Sequence, residues 1–576
     1  MSIPFTLLFV SLAIPALCAP NVTTQSLLLD FATSEEARWR HNMASWADVQ
    51  ANTTSGPIVG ATGEGVTVFL GIPYASPPVP ENNLRWQPAQ PPAKWTSPLE
   101  TKWWKNGCPQ SQNFVWSPAQ NVSEDCLYLN VYRPANATKL LPVFFWIYGG
   151  SYGLGSADVW YNPSDAFTLF PHEQIAVVTF NYRVNFFSSL CGSPLQAASK
   201  DSSCGTYGIS DQRMALQWVR DNAAFFGLDP TRVTVGGESA GGGSTGIFLT
   251  SPVTWPLFQR VIMESGTAAA QWVVQSQVES NKLFEQVCTE AKCPTSGSAS
   301  RDCLMKLPWE FFEGLGSSLR KGLQGSGDPF DLTYAPTIDG VVIDEHHALS
   351  VRKGRMANVS ILHGTNENET TTLQMGDWNM STAEFVSQIT EYFPNSSQEI
   401  LALYNPSMFS SDDNTSPARK AWYAATTDQA MFCPTRQVAM ALATKQQRQN
   451  FVFLLRQPNW IFNLVEDERL GVGHMMDLPL VWYWRFPFLL DEQEQRLSQL
   501  VVEMWYSFVA TGSPNNNGRY SSMFTWLPFT LTNNKAGDDT IFAFSLDGSG
   551  NPLGTNLQNW RRPKCEFWQS ITPPDL

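Results

Sequence analysis

Residues 232–241 read Arg-Val-Thr-Val-Gly-Gly-Glu-Ser-Ala-Gly, and Gly242-Gly-Ser-Thr-Gly-Ile-Phe-Leu249 follows. A β-branched run breaks into glycines around Ser239, then small residues lead into an apolar stretch. That order reads as strand, sharp turn, helix. Glycines two before and two after the serine let such a turn close without a clash, and the hydroxyl is thrown into a cleft. The bare Gly-x-Ser-x-Gly pattern is weak in a chain with 39 glycines, and it is also centred on Ser151 and Ser244. Context separates the three. Ser244 falls inside the helix that follows Ser239. Ser151 follows a strand but leads into the loop Gly153-Leu-Gly155. Ser239 alone has the strand-turn-helix setting of an exposed nucleophile.

Working outward, short β-branched and aromatic runs recur at Val143–Tyr148, Ile175–Tyr182, Arg260–Met263, Val359–His363 and Phe451–Arg456. Nearly continuous apolar strands belong to a sheet covered on both faces. Helical patterns lie between some of them, as in Asp211–Phe226 with Met214, Ala215, Trp218, Val219 and Ala223. The expected fold class is α/β, a central mostly parallel sheet with helices on both faces and loop insertions. Reactive groups then gather at the strand C-terminal ends.

Composition bounds the rest. The chain has 576 residues, 43% apolar and only 15% charged, which excludes disorder and supplies a large core. Lys plus Arg number 37 against 51 Asp plus Glu, a formal charge of −14, so nucleic acid and anionic membranes are poor partners. No apolar run long enough to span a bilayer follows the first twenty residues, so stable membrane insertion is not expected. Residues 1–19 carry no charge and include the apolar run Pro4 to Leu17, with small residues at Ala16, Cys18 and Ala19. They read as a secretory signal peptide, although the segment lacks the usual basic residue. No internal repeat appears, so residues 20–576 are read as one catalytic domain. Sequons at Asn21, Asn52, Asn121, Asn136, Asn358, Asn379, Asn395 and Asn414 are expected to carry glycans, consistent with a secreted, extracellular protein.

A serine nucleophile needs a hydrogen-bonded base, and on this fold the order is serine, acid, histidine. Beyond Ser239 stand His346, His347, His363 and His474. The first three sit before or within one candidate strand. His474 lies in the loop Leu470-Gly-Val-Gly-His-Met-Met-Asp477, after the strand Phe451–Arg456. The acid should follow Val359–His363, where Glu367 and Glu369 are the candidates. No His-Glu-x-x-His occurs, and no metal or cofactor is expected. The Asp344-Glu-His-His347 group is read as a surface loop.

Several motifs together resemble the type-B carboxylesterase/cholinesterase family of α/β-hydrolase serine esterases. They are Asp211-Gln212, Ala215-Leu216, Trp218-Val219, Phe226-Gly227, Asp229-Pro230, Val233-Thr234 and Gly237-Glu-Ser-Ala-Gly-Gly242, with Glu124-Asp-Cys-Leu-Tyr-Leu-Asn-Val-Tyr132, Phe69-Leu-Gly-Ile-Pro-Tyr-Ala75 and Leu84-Arg-Trp86. The likeness covers roughly residues 55–570. It implies catalytic Ser239, Glu369 and His474, with Glu367 in reserve because Thr370 replaces the glycine usual after the acid. A glycan at the ninth sequon, Asn368, would stand beside Glu369, so that asparagine is expected to stay unmodified. The loop Trp146-Ile-Tyr-Gly-Gly-Ser-Tyr152 resembles the family's oxyanion loop and implies backbone N–H donors at Gly150, Ser151 and Ala240, with Ser151 replacing a glycine. Glu238, Ser265 and Asp477 match the family's buried polar network. Trp116, Trp272, Phe330 and Leu332 match substrate-pocket positions, while Thr371, Thr372 and Leu373 replace aromatics that cholinesterases carry. Arg85–Glu124 and Arg183–Asp211 match structural ion pairs.

The likeness also suggests the disulfides Cys108–Cys126, Cys293–Cys303 and Cys433–Cys565. Cys191 and Cys204 lie close enough to close a hairpin insertion, and Cys288 is left as a buried thiol. The short Cys108–Cys126 loop argues against a large lipase lid. The implied function is a secreted esterase acting on a small-molecule or lipid ester. Lipase, cholinesterase-like hydrolase and secondary-metabolite esterase or transacylase stand as alternatives. A non-catalytic binding homologue is the reading of a different class.

Overall fold

The computed structural model describes residues 33, 36–111, 121–169, 174–319, 332–374, 378–411, 413–444, 448–459, 468–484, 490–516, 518–531 and 539–572. The predicted signal peptide, Asn21, Trp116 and Phe330 lie outside them.

Among the described residues thirteen strands form one sheet. They are β1 (Ala47–Asn52), β2 (Pro57–Gly63), β3 (Val66–Pro73), β4 (Leu99–Glu100), β5 (Tyr128–Pro134), β6 (Leu141–Ile147), β7 (Ala176–Phe180), β8 (Leu228–Glu238), β9 (Arg260–Glu264), β10 (Ser360–Asn366), β11 (Asn450–Leu455), β12 (Thr540–Leu546) and β13 (Pro552–Gln558). The order is β1-β2-β3-β5-β7-β6-β8-β9-β10-β11-β12-β13, with β4 beside β2. The block from β7 to β12 is parallel throughout. Antiparallel strands flank it on both sides.

The side-chain period of two explains how the sheet is covered. On β6, Val143, Phe145 and Ile147 enter one core, while Phe144 and Trp146 enter the other. On β9, Val261 and Met263 face the first core and Ile262 the second. A strand apolar at every position can therefore serve two layers of helices. Six helices matter below: α1 (Tyr207–Asn222), α2 (Ala240–Thr250), α3 (Thr370–Leu373), α4 (Pro417–Thr427), α5 (Glu492–Thr511) and α6 (Arg562–Ile571). Ala215, Leu216 and Val219 of α1 and Ile247 and Phe248 of α2 fill the first core. Leu497, Leu500, Val501, Met504, Trp505 and Phe508 of α5 fill the second. Asp491 starts α5 by accepting the N–H groups of Gln493 and Glu494, and Gly512, at φ 88°, ends it. A cap of this kind is worth about 1 kcal/mol.

Four disulfides join Cys108–Cys126, Cys191–Cys204, Cys293–Cys303 and Cys433–Cys565, and Cys288 is a buried free thiol. The Cys433 bridge ties α6 to the body. One expectation is corrected. The segment between Cys191 and Cys204 is not a hairpin but carries the helix Ser193–Ala198. Pro194, in the first turn, has a fixed φ suited to that place and no N–H to waste. A second correction concerns Asp344–His347. Asp344 and Glu345 pair with Arg355 and Lys353, but His346 and His347 are buried and stacked, with centroids 4.7 Å apart. Nε2 of His347 lies 3.0 Å from the Ala270 carbonyl. No group of three or more potential metal ligands occurs among the described residues. Nor is any helix there long and apolar enough to cross a membrane.

The ion pairs Arg85–Glu124 and Arg183–Asp211 are both present and buried. The sequon residues Asn52, Asn121, Asn136, Asn358, Asn379, Asn395 and Asn414 are all exposed.

Candidate active site

Four adjacent parallel strands, β8 to β11, bring the candidate residues to one end of the sheet. Ser239 follows β8, Ser265 follows β9, Glu369 follows β10, and His474 lies beyond β11. The elbow after β8 is built by sterics. A Cβ on Gly241 would lie 1.9 Å from the Ile147 carbonyl oxygen, and one on Gly237 would lie 2.5 Å from the same atom. Only glycine permits that approach of β6 to the turn. Ser239 carries the strain, at φ 58° and ψ −122°. Its N–H donates to the Glu264 carbonyl (2.9 Å) and its carbonyl accepts from Gly243 N–H (2.8 Å), which locks the turn to β9 and α2. The Ser239 side chain stands 8% exposed. Ser244, by contrast, is buried in α2 with its hydroxyl accepting from Gln212 Nε2.

Nδ1 of His474 donates to Oε2 of Glu369 across 2.6 Å. The other Glu369 oxygen accepts from the Ser265 hydroxyl and the Asn366 N–H, each 2.6 Å away. A fully buried carboxylate needs such partners. The bond to Nδ1 leaves Nε2 as the nitrogen able to accept a proton. Among the described residues Nε2 has no hydrogen-bond partner, and Oε1 of Glu238 is 3.3 Å from it. Ser239 Oγ and Nε2 are therefore not hydrogen-bonded here. Catalytic hydrogen bonds are often long until substrate is bound. Glu367, the reserve acid, pairs with Arg456 at 3.2 Å on the surface and plays no part in this constellation.

Glu238, Glu369 and Asp477 stand buried beside the His474 imidazole, and Glu264 is buried beside Asp477. Burial alone would lower the His474 pKa, but Glu238, Glu369 and Asp477 outweigh it and bring it to about 9. Burial, with Asp477 and Glu369 nearby, holds the Glu238 carboxyl well above the usual range. Burial and the adjoining Asp477 do the same for Glu264, and burial and Glu369 raise Asp477. Like charges packed this closely cannot all ionise. Trp505 Nε1 donates to Glu264 Oε1 (2.7 Å), and Asn366 Nδ2 donates to Asp477 Oδ1 (3.1 Å).

The loop after β6 lies against Ser239. A Cβ on Gly149 would meet Ser239 Cβ at 2.9 Å and Glu238 Oε2 at 2.8 Å. Gly150 takes φ 112°, and its carbonyl accepts from Gly153 and Leu154 N–H, which fixes the bend. Ser151 and Tyr152 follow at φ 54° and 56°. This is a left-handed conformation that a glycine would adopt without strain. Ala240 opens α2, where first-turn N–H groups lack intrahelical acceptors. Of the described pocket candidates, Trp272 is buried with Nε1 donating to the Ala430 carbonyl (3.1 Å), and Leu332 is half-buried against the first core. Trp272 thereby docks on the π-helical turn Asp428–Phe432, a distortion often found beside functional sites.

Sequence reading missed Asn366, Asn368, Thr371 and Glu264, whose roles depend on which loops meet. Glu264 adjoins Ser265, and Asn368 and Thr371 flank Glu369, but none of these positions announces its partners.

The carboxylesterase family model matches residues 47–568. The cholinesterase of Mus musculus is 29% identical over 547 residues, covering 90% of this chain and 85% of that protein. The acetylcholinesterase of Electrophorus electricus is 30% identical over 526 residues, covering 82% of this chain and 80% of that protein. The chain belongs to the carboxylesterase family.

Proposed function

We propose that the protein is a secreted serine carboxylic-ester hydrolase working through an acyl-enzyme on Ser239. The reading rests above all on the 2.6 Å bond between His474 and Glu369, placed three and two strands from the strained serine turn. In this reaction Ser239 Oγ attacks the ester carbonyl while His474 Nε2 takes its proton. Glu369 holds the tautomer and stabilises the imidazolium that forms. The developing oxyanion sits against the N–H groups of Gly150, Ser151 and Ala240, each worth about 3–4 kcal/mol. The imidazolium then protonates the departing alcohol. A water molecule, deprotonated by His474, attacks the acyl-enzyme and frees the acid. No metal or organic cofactor enters this scheme.

Secretion is supported by the apolar N-terminus, the four disulfides and seven exposed sequons. Asn368 stays unmodified, in keeping with Oδ1 accepting from Val472 N–H (3.1 Å). The substrate is a small-molecule or lipid ester. The half-buried Thr372 and exposed Leu373 beside the acid form no aromatic cage, which favours a general ester substrate over a choline ester.

Rapid mixing with a p-nitrophenyl ester tests the scheme. An initial burst of nitrophenol, stoichiometric with enzyme, should precede the steady state if acyl-enzyme accumulates. Unchanged hydrolysis by Ser239→Ala would rule the assignment out. Comparison of acetyl, butyryl, long-chain and choline esters then ranks the substrates.

A further inference from the structure

We propose that Asn368 and Thr371 are positioning residues that hold the His474 loop in place. This rests on reading His474 and Glu369 as base and acid. A single bond from Glu369 to Nδ1 fixes one distance, but the ring can still swing with its backbone. The structure supplies the missing constraints from the segment that follows β10.

Nearly every residue of the loop 470–474 is tied to that segment. The Thr371 hydroxyl lies 2.6 Å from the Leu470 carbonyl and 2.8 Å from the Asn368 carbonyl, and can donate to the nearer one. The Asn368 N–H donates to the Val472 carbonyl (2.9 Å), and Val472 N–H donates back to Asn368 Oδ1 (3.1 Å). Asn366 Nδ2 donates to the Gly473 carbonyl (2.9 Å), and His474 N–H donates to the Glu369 carbonyl (3.1 Å). The packing is as tight as the bonding. A Cβ on Gly473 would meet Thr372 Cγ2 at 2.4 Å, and one on Gly471, at φ 58°, would meet Asn368 Oδ1 at 2.6 Å.

The acid segment is anchored in turn on its other side. Thr370 Oγ1 lies 2.9 Å from Thr426 Oγ1 and 3.1 Å from the Tyr423 carbonyl, and Thr370 N–H donates to Thr427 Oγ1 (3.3 Å). Tyr423, Thr426 and Thr427 belong to α4. The imidazole is thus referred to α4 through α3, by hydrogen bonds that need Asn at 368 and hydroxyls at 370 and 371. Neither Asn368 nor Thr371 touches the reacting atoms; both act through the backbone of the loop.

Thr371→Val keeps the shape and removes the donor. It should lower kcat for a p-nitrophenyl ester by roughly 10-fold or more, the scale of a small misplacement of a catalytic group, with KM within about twofold. Thr371→Ser should restore kcat, and Asn368→Ala should reproduce the kcat-selective loss. Exposed Thr390, whose hydroxyl bonds the Val386 carbonyl within its own helix, supplies the control Thr390→Val, expected to match the unsubstituted enzyme. If Thr371→Val does not fold, Asn368→Ala carries the test on the same terms. The proposal is overturned if these variants keep kcat within about twofold, or if Thr371→Ser is as slow as Thr371→Val, while Ser239→Ala stays inactive. Activity surviving in Ser239→Ala would instead remove the reading beneath it.

Discussion

The elbow around Ser239 and the paired loops carrying Glu369 and His474 meet in one site but are built differently. The elbow is steric. Glycines at 237 and 241 allow β6 to touch the turn, and a Cβ at 241 would sit 1.9 Å from a carbonyl oxygen. The loops are held by polar groups, from Asn366 to Thr372 on one side and from Leu470 to His474 on the other. Steric construction tolerates no change in shape. Polar construction tolerates a change of shape but not the loss of a donor or acceptor.

The largest effect should come from breaking the steric half. Gly241→Ala is expected to cost about 3 kcal/mol or more in denaturant unfolding, because neither backbone can retreat. Gly548→Ala, where nothing lies within 4 Å of the added carbon, should stay within about 0.5 kcal/mol. Equal losses in both would show that the elbow is not sterically constrained. Next in size is a break in the polar half. Ser265→Ala removes the 2.6 Å hydroxyl bond to Glu369 and should lower kcat about 10-fold and cost about 1–3 kcal/mol in unfolding, because a buried carboxylate loses a donor. A shift confined to stability would make Ser265 a folding residue only.

The same contrast was visible in the sequence, to different degrees. Gly237-Glu-Ser-Ala-Gly241 could be read directly because steric need leaves glycines at fixed spacing. The parallel block could be read because strands buried on both faces are apolar throughout, as in Val143–Ile147. Glu369 was chosen over Glu367 through resemblance rather than local chemistry, since both are loop glutamates. The bonds of Asn368 and Thr371 to the His474 loop could not be read: their partners lie 104 and 99 residues away. The helix between Cys191 and Cys204 was missed because six residues give too little pattern to outweigh the closeness of the two cysteines.

Two smaller effects depend on pH. In the proposed mechanism His474 must lose its proton to act as base, and against the effect of burial neighbouring carboxylates pull its pKa up to about 9. The kcat/KM should therefore climb with pH toward that value. Glu238→Gln removes a group that favours the imidazolium, so the profile should move to lower pH. A profile that stays in place would show that Glu238 carries no charge in this pH range and contradict its part in raising His474. The smallest effect lies far from the reacting groups. Burial, with Arg352 nearby, depresses His346 to about 4, against opposing contributions from the Gln271 backbone and Glu279. The unfolded chain, with a histidine pKa of about 6.5, takes up its proton first. Stability from neutral His346 is thus present above pH 6.5 and is lost as pH falls toward 4. His346→Phe should flatten that acid limb in thermal unfolding, and an unchanged limb would assign acid sensitivity elsewhere.

Mass spectrometry after reaction with a fluorophosphonate tests the central claim most directly, since the reagent phosphonylates an activated serine and stays attached. One adduct per chain, on the peptide carrying Ser239, absent in Ser239→Ala and formed far more slowly in His474→Ala, is the expected result. An unmodified protein, or an adduct on Ser151 or Ser244 instead, would contradict it.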